Sequence, residues 1–340
     1  MSLRPRAKPD LLFVLSMDTE EEWDWSGEFP QRDFSVSNAG KLPAFQAFCD
    51  AQGIRPTYFV DYAVADDAEA VAALQPAVTA RRCEIAAHLH PWANPPYYGN
   101  TGEFESHVVN LPVDQTRAKL DALIKKLIES FGVAPNAFRT GRWGVNGTIL
   151  ELLRERGITI DSSMYPLFSN EWFDCERTPL APYWPDFAEP MDRGSQRDVL
   201  EFPVTVGFNR RNQRAALGLY KTISQPALEP LRLVGTLWQS RLLRKLYLSP
   251  EVMSGEDMAP LVDLAIDQEL PVLHMFLHSS SLLDHSQGMM SEAEAFDTVT
   301  GRIERLLRYA QEQANITCCT ISEAATLLTA EHDQMIAGAA

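Results

Sequence analysis

The sequence predicts an α/β fold in which a parallel sheet curls into a (β/α) barrel. Three observations lead there. Short apolar runs alternate with longer amphipathic stretches along most of the 340 residues, as strand–helix units of a parallel sheet do. Roughly seven or eight such units in one chain suit a barrel better than an open sheet. The apolar runs end on charged or imidazole side chains, and barrels of this kind carry their chemistry at the C-terminal strand ends. A hydrophobic content of 45% is enough for a large core. The chain is read as a single barrel domain over 1–340, with 167–250 a loop and helical insertion before the last barrel strand.

Each element has a local signal. "LLFVLSMD" (11–18) has the length and branched content of a buried strand. "GKLPAFQAFCDAQG" (40–53) reads as a helix closed by Gly53. "RPTYFVDY" (55–62) is a second strand, and 67–82 is helical with a break expected at Pro76. "CEIAAHLH" (83–90) is a third strand. The helix over 114–132 puts Leu120, Leu123, Ile124 and Leu127 on one face and ends at Gly132. "NAFRTG" (136–141) is a fourth strand end, followed by a helix over 146–157 and a fifth strand over 158–165. Further strands are expected over 198–206 and in "ELPVLHMFLHSSS" (269–281). A long helix over 291–313 and a strand–helix pair over 316–331 close the chain.

The segment 167–250 breaks the alternation. It begins proline-rich and turns basic. Between Asn209 and Leu248 stand Arg210, Arg211, Arg214, Lys221, Arg232, Arg241, Arg244 and Lys245 against the single acid Glu229. A solvated helical pair would look like this. So would a dock for a substrate phosphate or for peripheral contact with a membrane surface.

Composition excludes several classes. A formal net charge of −16 argues against nucleic acid as a partner. Five cysteines with no CxxC and no paired framework fit a reducing compartment. The start, "MSLRPRAKPD", leads into too short an apolar run for a signal peptide. No stretch approaches the roughly 20 apolar residues of a membrane span. A cytoplasmic protein is expected.

The strand ends collect Asp18 and Glu20, Asp61, His88 and His90, Arg139 and Arg142, Asp161, and His278. His88 and His90 share one side of a strand end, because residues i and i+2 point the same way. Both rings can then reach one ion, although a satisfied core pair has the same spacing. Asp18 and Glu20 repeat the relation at the first strand. Two histidines and a carboxylate suit a catalytic Zn²⁺ with an open position for water. Glu21 and Glu22 read as a solvated helix start, and His274 as a core residue.

Blocks in this order resemble the NodB-homology polysaccharide deacetylases, carbohydrate esterase family 4. "LSMDTE" (15–20) stands where that family has TFDDG, and "EIAAHLH" (84–90) where it has EIGNH and a second histidine. "FRTGRWG" (138–144) resembles FRPPxG, "IDSS" (160–163) the aspartate block, and "FLHSS" (276–280) the terminal LxH block. "RPTYFV" (55–60) resembles ATFFV. The resemblance implies a distorted (β/α) barrel. It also implies Asp18 as general base, His88 as metal ligand, Arg139 as the group orienting the base, and Asp161 as the carboxylate tuning His278, the acid. Two departures stand out. Thr19 replaces the second aspartate, leaving Glu20 to supply that ligand. Trp92 occupies the place of the second histidine, leaving His90.

These groups suit amide hydrolysis by a metal-activated water. The expected activity is removal of an N-acetyl group from an amino-sugar-containing substrate, with one divalent metal, Zn²⁺ by preference. An amidase on a cyclic or linear non-sugar amide and an inactive carbohydrate-binding relative are the alternatives. Trp23, Trp92, Arg142 and Trp143 are the expected substrate contacts, with Trp25, Tyr97 and Tyr98 nearby, since sugars stack on aromatic faces.

Overall fold

The computed structural model describes residues 8–24, 27–286 and 293–339, the last nine by backbone alone. Trp25 and the basic start of the chain lie outside the described residues. The strands are β1 (Asp10–Thr19), β2 (Thr57–Val60), β3 (Glu84–Leu89), β4 (Ala137–Thr140), β5 (Ile160–Asp161), β6 (Leu200–Glu201), β7 (Val206–Phe208), β8 (Lys245–Tyr247), β9 (Val272–His278) and β10 (Asn315–Cys318). The helices are α1 (Leu42–Ala51), α2 (Tyr62–Asp66), α3 (Ala68–Thr79), α4 (Glu103–Ser106), α5 (Val113–Phe131) and α6 (Gly147–Glu155) in the first half. The second half carries α7 (Gln213–Ile223), α8 (Leu233–Gln239), α9 (Gly255–Asp267), α10 (Ala295–Gln313) and α11 (Ile321–Ala339).

Eight parallel strands form the main sheet in the order β10-β1-β2-β3-β4-β5-β6, with β9 also on β1. Residues 12–18 of β1 pair with β9, so β10 and β2 must share the other edge. β10 takes residues 10–13 and β2 takes 16–19. Ten-residue β1 is therefore the axis of the fold. The apolar faces of α1, α5, α9 and α10 cover the sheet, with Phe45, Leu123, Leu261 and Ile303 fully buried against it.

The sheet curls without closing by strand pairing. The expected strand over 198–206 pairs for only two residues, because Pro203 cannot donate to a ladder. The gap to β9 is bridged by single bonds: Thr205 N donates to His274 O, and Phe276 N donates to Leu248 O. This distorted barrel is the expected fold class. Two local expectations change. α3 runs through Pro76 and ends at Thr79, so the proline costs the helix the bond to the Ala72 carbonyl without breaking it. A short 3-10 turn, Ser37–Lys41, precedes α1 and takes the start of the expected helix.

The insertion is a two-stranded antiparallel ribbon, β7 with β8, carrying α7 and α8 between its strands. It has a small core of its own, built on Leu167, Phe208, Ala216, Ile223 and Leu243.

Candidate active site

Parallel register brings the strand ends into one ring. Asp18 on β1 lies beside His278 on β9, and His88 on β3 lies beside Arg139 on β4. Glu20 follows β1, and its backbone N–H is fixed by the Ser279 hydroxyl at 3.2 Å. All six of these side chains are buried.

One corner gathers potential metal ligands. Glu20 Oε2 lies 3.0 Å from His88 Nε2 and 3.2 Å from His90 Nε2. A tetrahedral ion with bonds of about 2.0–2.1 Å needs ligand atoms about 3.3 Å apart, so both edges nearly fit. Burial opposes the charge of Glu20, but His90 and His278, with hydrogen bonds from His88 and His90, hold it well below the usual carboxylate range. A cation seated there would replace the protons these rings now share with Glu20. The donor set of two imidazoles and one carboxylate fits Zn²⁺ with a position left open.

His90 has an elaborate support. Its Nδ1 faces Glu21 Oε1 at 3.0 Å, which directs Nε2 towards Glu20. Trp92 Nε1 donates to the same oxygen at 2.6 Å, and the Trp92 ring stacks on His90 at 4.2 Å. Burial raises Asp61 well above the usual range, and so does the neighbouring Glu21 charge. Asp61 stands beside Glu21 as a further neighbour. Lys119 Nζ donates to the carbonyls of Pro91, Asn94 and Pro96, which clamps the loop after the histidines. Gly141 lies so close to the imidazole of His90 that a Cβ there would overlap it. His88 is simpler, with Nδ1 buried and without a hydrogen-bond partner among the described residues.

The other corner is an acid–base arrangement. Arg139 is fully buried. It donates to Asp18 Oδ1 at 2.5 Å, to the Ser16 and Ser162 hydroxyls and to the Ser162 carbonyl. Its guanidinium lies 4.2 Å from the Phe59 ring and 5.1 Å from the Trp143 ring. His274 faces the same group. Burial, with the Arg139 charge, holds it neutral, as expected of a core histidine. Arg139 can only donate, so His274 Nε2 accepts and its Nδ1 donates to Pro203 O at 3.2 Å.

His278 Nε2 sits 3.8 Å from Asp18 Oδ2. Its Nδ1 is held by Glu251 Oε1 at 2.9 Å, and Glu251 Oε2 accepts from the His278 backbone N–H and the Ser281 hydroxyl. Burial lowers the imidazole's pKa, but Glu251 and Glu20 outweigh it and push it up to about 10.

Several expectations change at this level. The carboxylate on His278 is Glu251, not Asp161. Asp161 is turned to the Ser163 hydroxyl at 2.6 Å and to Glu201, its β6 neighbour. Burial raises both acids of that pair, and the Asp161 charge pushes Glu201 further. Glu21 is buried under His90 rather than solvated. Trp92 is fully buried and Trp23 nearly so, at 6% exposure, because the two pack on each other and on Phe29. Neither offers a free face for a sugar. Arg142 is tied to Glu103 and Ser106 and lies over Trp23 and Phe29. Trp143 keeps an accessible edge. Its φ of +59° is an expensive conformation for a bulky residue, and it turns the ring onto Arg139, Tyr165 and Phe276.

Glu201 had a signal that the strand-end argument could have used, an acid breaking "DVLEFPVTV". Glu251 had none, because it lies in an aperiodic connection after the insertion.

This ring on this barrel is the polysaccharide deacetylase type of fold. Among solved structures the chain is similar to a candidate polysaccharide deacetylase from Mycobacterium smegmatis. The two share 16% identity, over 97% of this chain and 94% of that one, with a TM-score of 0.54. It is also similar to a candidate glycoside hydrolase/deacetylase from Parabacteroides distasonis, at 10% identity over 92% and 70% of the chains, with a TM-score of 0.56. At such identities the likeness is one of fold. No family model and no curated protein matches the sequence.

Proposed function

We propose that the protein is a metal-dependent hydrolase that removes an N-acetyl group from an amino-sugar-containing substrate. The observation that carries this reading is the convergence of Glu20, His88 and His90 within bonding reach of one ion, beside the Asp18–Arg139 and His278–Glu251 pairs. A bound Zn²⁺ supplies a polarised amide carbonyl and a water whose pKa falls to about 7. With a metal held by Glu20, His88 and His90, Asp18 would take a proton from the attacking water. Arg139 holds the Asp18 carboxylate aimed by its hydrogen bond to Oδ1. His278 Nε2 gives a proton to the leaving nitrogen as the C–N bond breaks, and Glu251 holds the ring in the tautomer and charge state for that step. Acetate and a free amine result. Trp143, with its edge open beside Arg139, is the substrate contact this reading keeps.

The burial of Trp23 and Trp92 favours, as a second reading, an amidase acting on a non-sugar amide at the same groups. Metal analysis of protein purified without chelator tests both. About one ion per chain is expected, lost in His88→Ala and in His90→Ala. A content well below one, not restored by added Zn²⁺, overturns both and leaves the inactive relative. Acetate release from N-acetylated amino-sugar oligomers, set against ring opening of cyclic amides, separates the first reading from the second.

A further inference from the structure

We infer that the α7–α8 insertion is a docking surface for an anionic lipid bilayer. The first observation is charge. Eight of the chain's 30 lysines and arginines lie between Asn209 and Leu248, against one of its 46 acids. The rest of the described structure is strongly acidic and is repelled by an anionic surface, so this element is the part of it that such a surface would draw.

The second observation is how those cations are used. Lys221 pairs with Glu176 at 2.7 Å, Arg244 pairs with Asp257 at 2.7 Å, and Lys245 donates to the Leu167 carbonyl. The Arg244 pair ties the insertion to α9, and the other two brace it internally. Arg210, Arg211, Arg214, Arg232 and Arg241 are exposed, and none has an acidic partner among the described residues. Arg210 and Arg241 are neighbours, since Arg210 donates to the Arg241 carbonyl at 3.3 Å.

The third observation is apolar. Leu231 at 60%, Leu242 at 56% and Leu219 at 50% exposure are among the most exposed large apolar side chains, and all three belong to this element. Its core is filled by other residues, so the leucines are not needed for its own packing. Exposed leucines among unpaired arginines are what an interfacial anchor requires: the cations meet headgroups and the leucines enter the acyl boundary. Among the described residues no helix is long and apolar enough to cross a membrane, and the contact inferred is one of surface. The insertion is also tied to the candidate site. β8 ends on Tyr247, whose ring lies parallel to Tyr165 in the aromatic wall that includes Trp143.

The inference stands apart from the hydrolase reading and its test uses no activity. The full chain is sedimented with vesicles of phosphatidylcholine containing phosphatidylglycerol, and with vesicles of phosphatidylcholine alone, at low and high salt. Binding is expected to the anionic vesicles only and to weaken sharply with salt. The double variant Arg210→Glu and Arg241→Glu should lose at least about 10-fold in affinity. The triple variant Leu219→Ala, Leu231→Ala and Leu242→Ala should lose the fraction that survives high salt. Absence of binding to anionic vesicles overturns the inference. So does equal binding to neutral ones. Capture by a soluble polyanion such as heparin as strong as by vesicles, and indifferent to the leucines, also overturns it and assigns the surface to an acidic macromolecule. If a variant fails to fold, the vesicle and salt comparison on the unaltered protein still decides.

Discussion

Two carboxylate pairs sit at strand ends of the same barrel and are built in opposite ways. Asp18 on β1 faces the buried guanidinium of Arg139 at 2.5 Å. Asp161 on β5 faces another acid, Glu201 on β6, and burial pushes both up, Glu201 well above the usual carboxylate range. Both are fully or almost fully buried. The difference lies in the neighbour. A buried carboxylate beside a cation has a donor that holds and aims it, whereas burial beside a second acid favours the protonated form. A strand-end acid is therefore no proof of catalysis until its partner is known.

The largest effect should come from removing that partner. Arg139→Met leaves Asp18 buried without its cation, which costs about 3–5 kcal/mol of stability for an ion pair of this kind. Activity should fall by about 10³ or more, since base and orienting group fail together. Denaturant unfolding and turnover at saturating metal check this. If the variant keeps near-normal turnover, the Asp18 side is not the reacting side and the contrast between the pairs has no functional meaning.

Next in size is Gly141→Ala. The new methyl would occupy the space of the His90 imidazole and push Nε2 away from Glu20. Metal affinity should drop by about 10–100-fold, the range seen when support of a ligand is lost. Competition with a chromogenic chelator reads it. An unchanged affinity would show that His90 is not a ligand and that Glu20 and His88 bind without it.

How much of this was legible in the sequence follows from where each residue sits. Strands β1, β3, β4 and β9 announce themselves by apolar runs, and their ends place Asp18, Glu20, His88, His90, Arg139 and His278 in one ring. Strand periodicity fixes which side a residue faces, so these were readable. What a side chain touches across the barrel is not written in periodicity. Glu251 reaches His278 from 27 residues away through an irregular connection. Trp92 looked like a platform because its type suits sugar, but it packs under His90 and holds Glu21. Glu21 looked solvated because acids in a row usually are, yet it meets a histidine, an indole and Asp61 in the interior. Tertiary pairing decided each case.

A smaller effect separates Glu251 from Asp161 as the partner of His278. The imidazole's pKa is pushed up to about 10 from an ordinary 6.5, with burial opposing and Glu251 and Glu20 prevailing. A histidine raised on folding contributes stability that is fully present below about pH 6.5 and lost as pH rises towards 10. Glu251→Gln should remove part of that raise. Its stability should then fall away at lower pH than in the unaltered protein, and the alkaline limb of the activity profile should move down with it, at a cost of about 10-fold in rate. Asp161→Asn should leave both limbs in place. If the two variants exchange these behaviours, Asp161 is the tuning residue after all.

The smallest effect belongs to the acid pair itself. Glu201 is held protonated by burial and by the charge of Asp161. The unfolded chain would release that proton above about pH 4.5, so a carboxyl raised on folding makes the protein less stable as pH climbs through the interval. Glu201→Gln supplies a neutral group of nearly the same shape that can still donate to Asp161. It should be neutral near pH 5 and stabilising by up to about 1 kcal/mol at pH 8, with turnover unchanged. Thermal unfolding at the two pH values measures it. A loss of stability at pH 8 would mean that Glu201 is ionised in the folded protein. The contrast between the two pairs would then rest on the Arg139 cation alone and not on a proton held by Glu201.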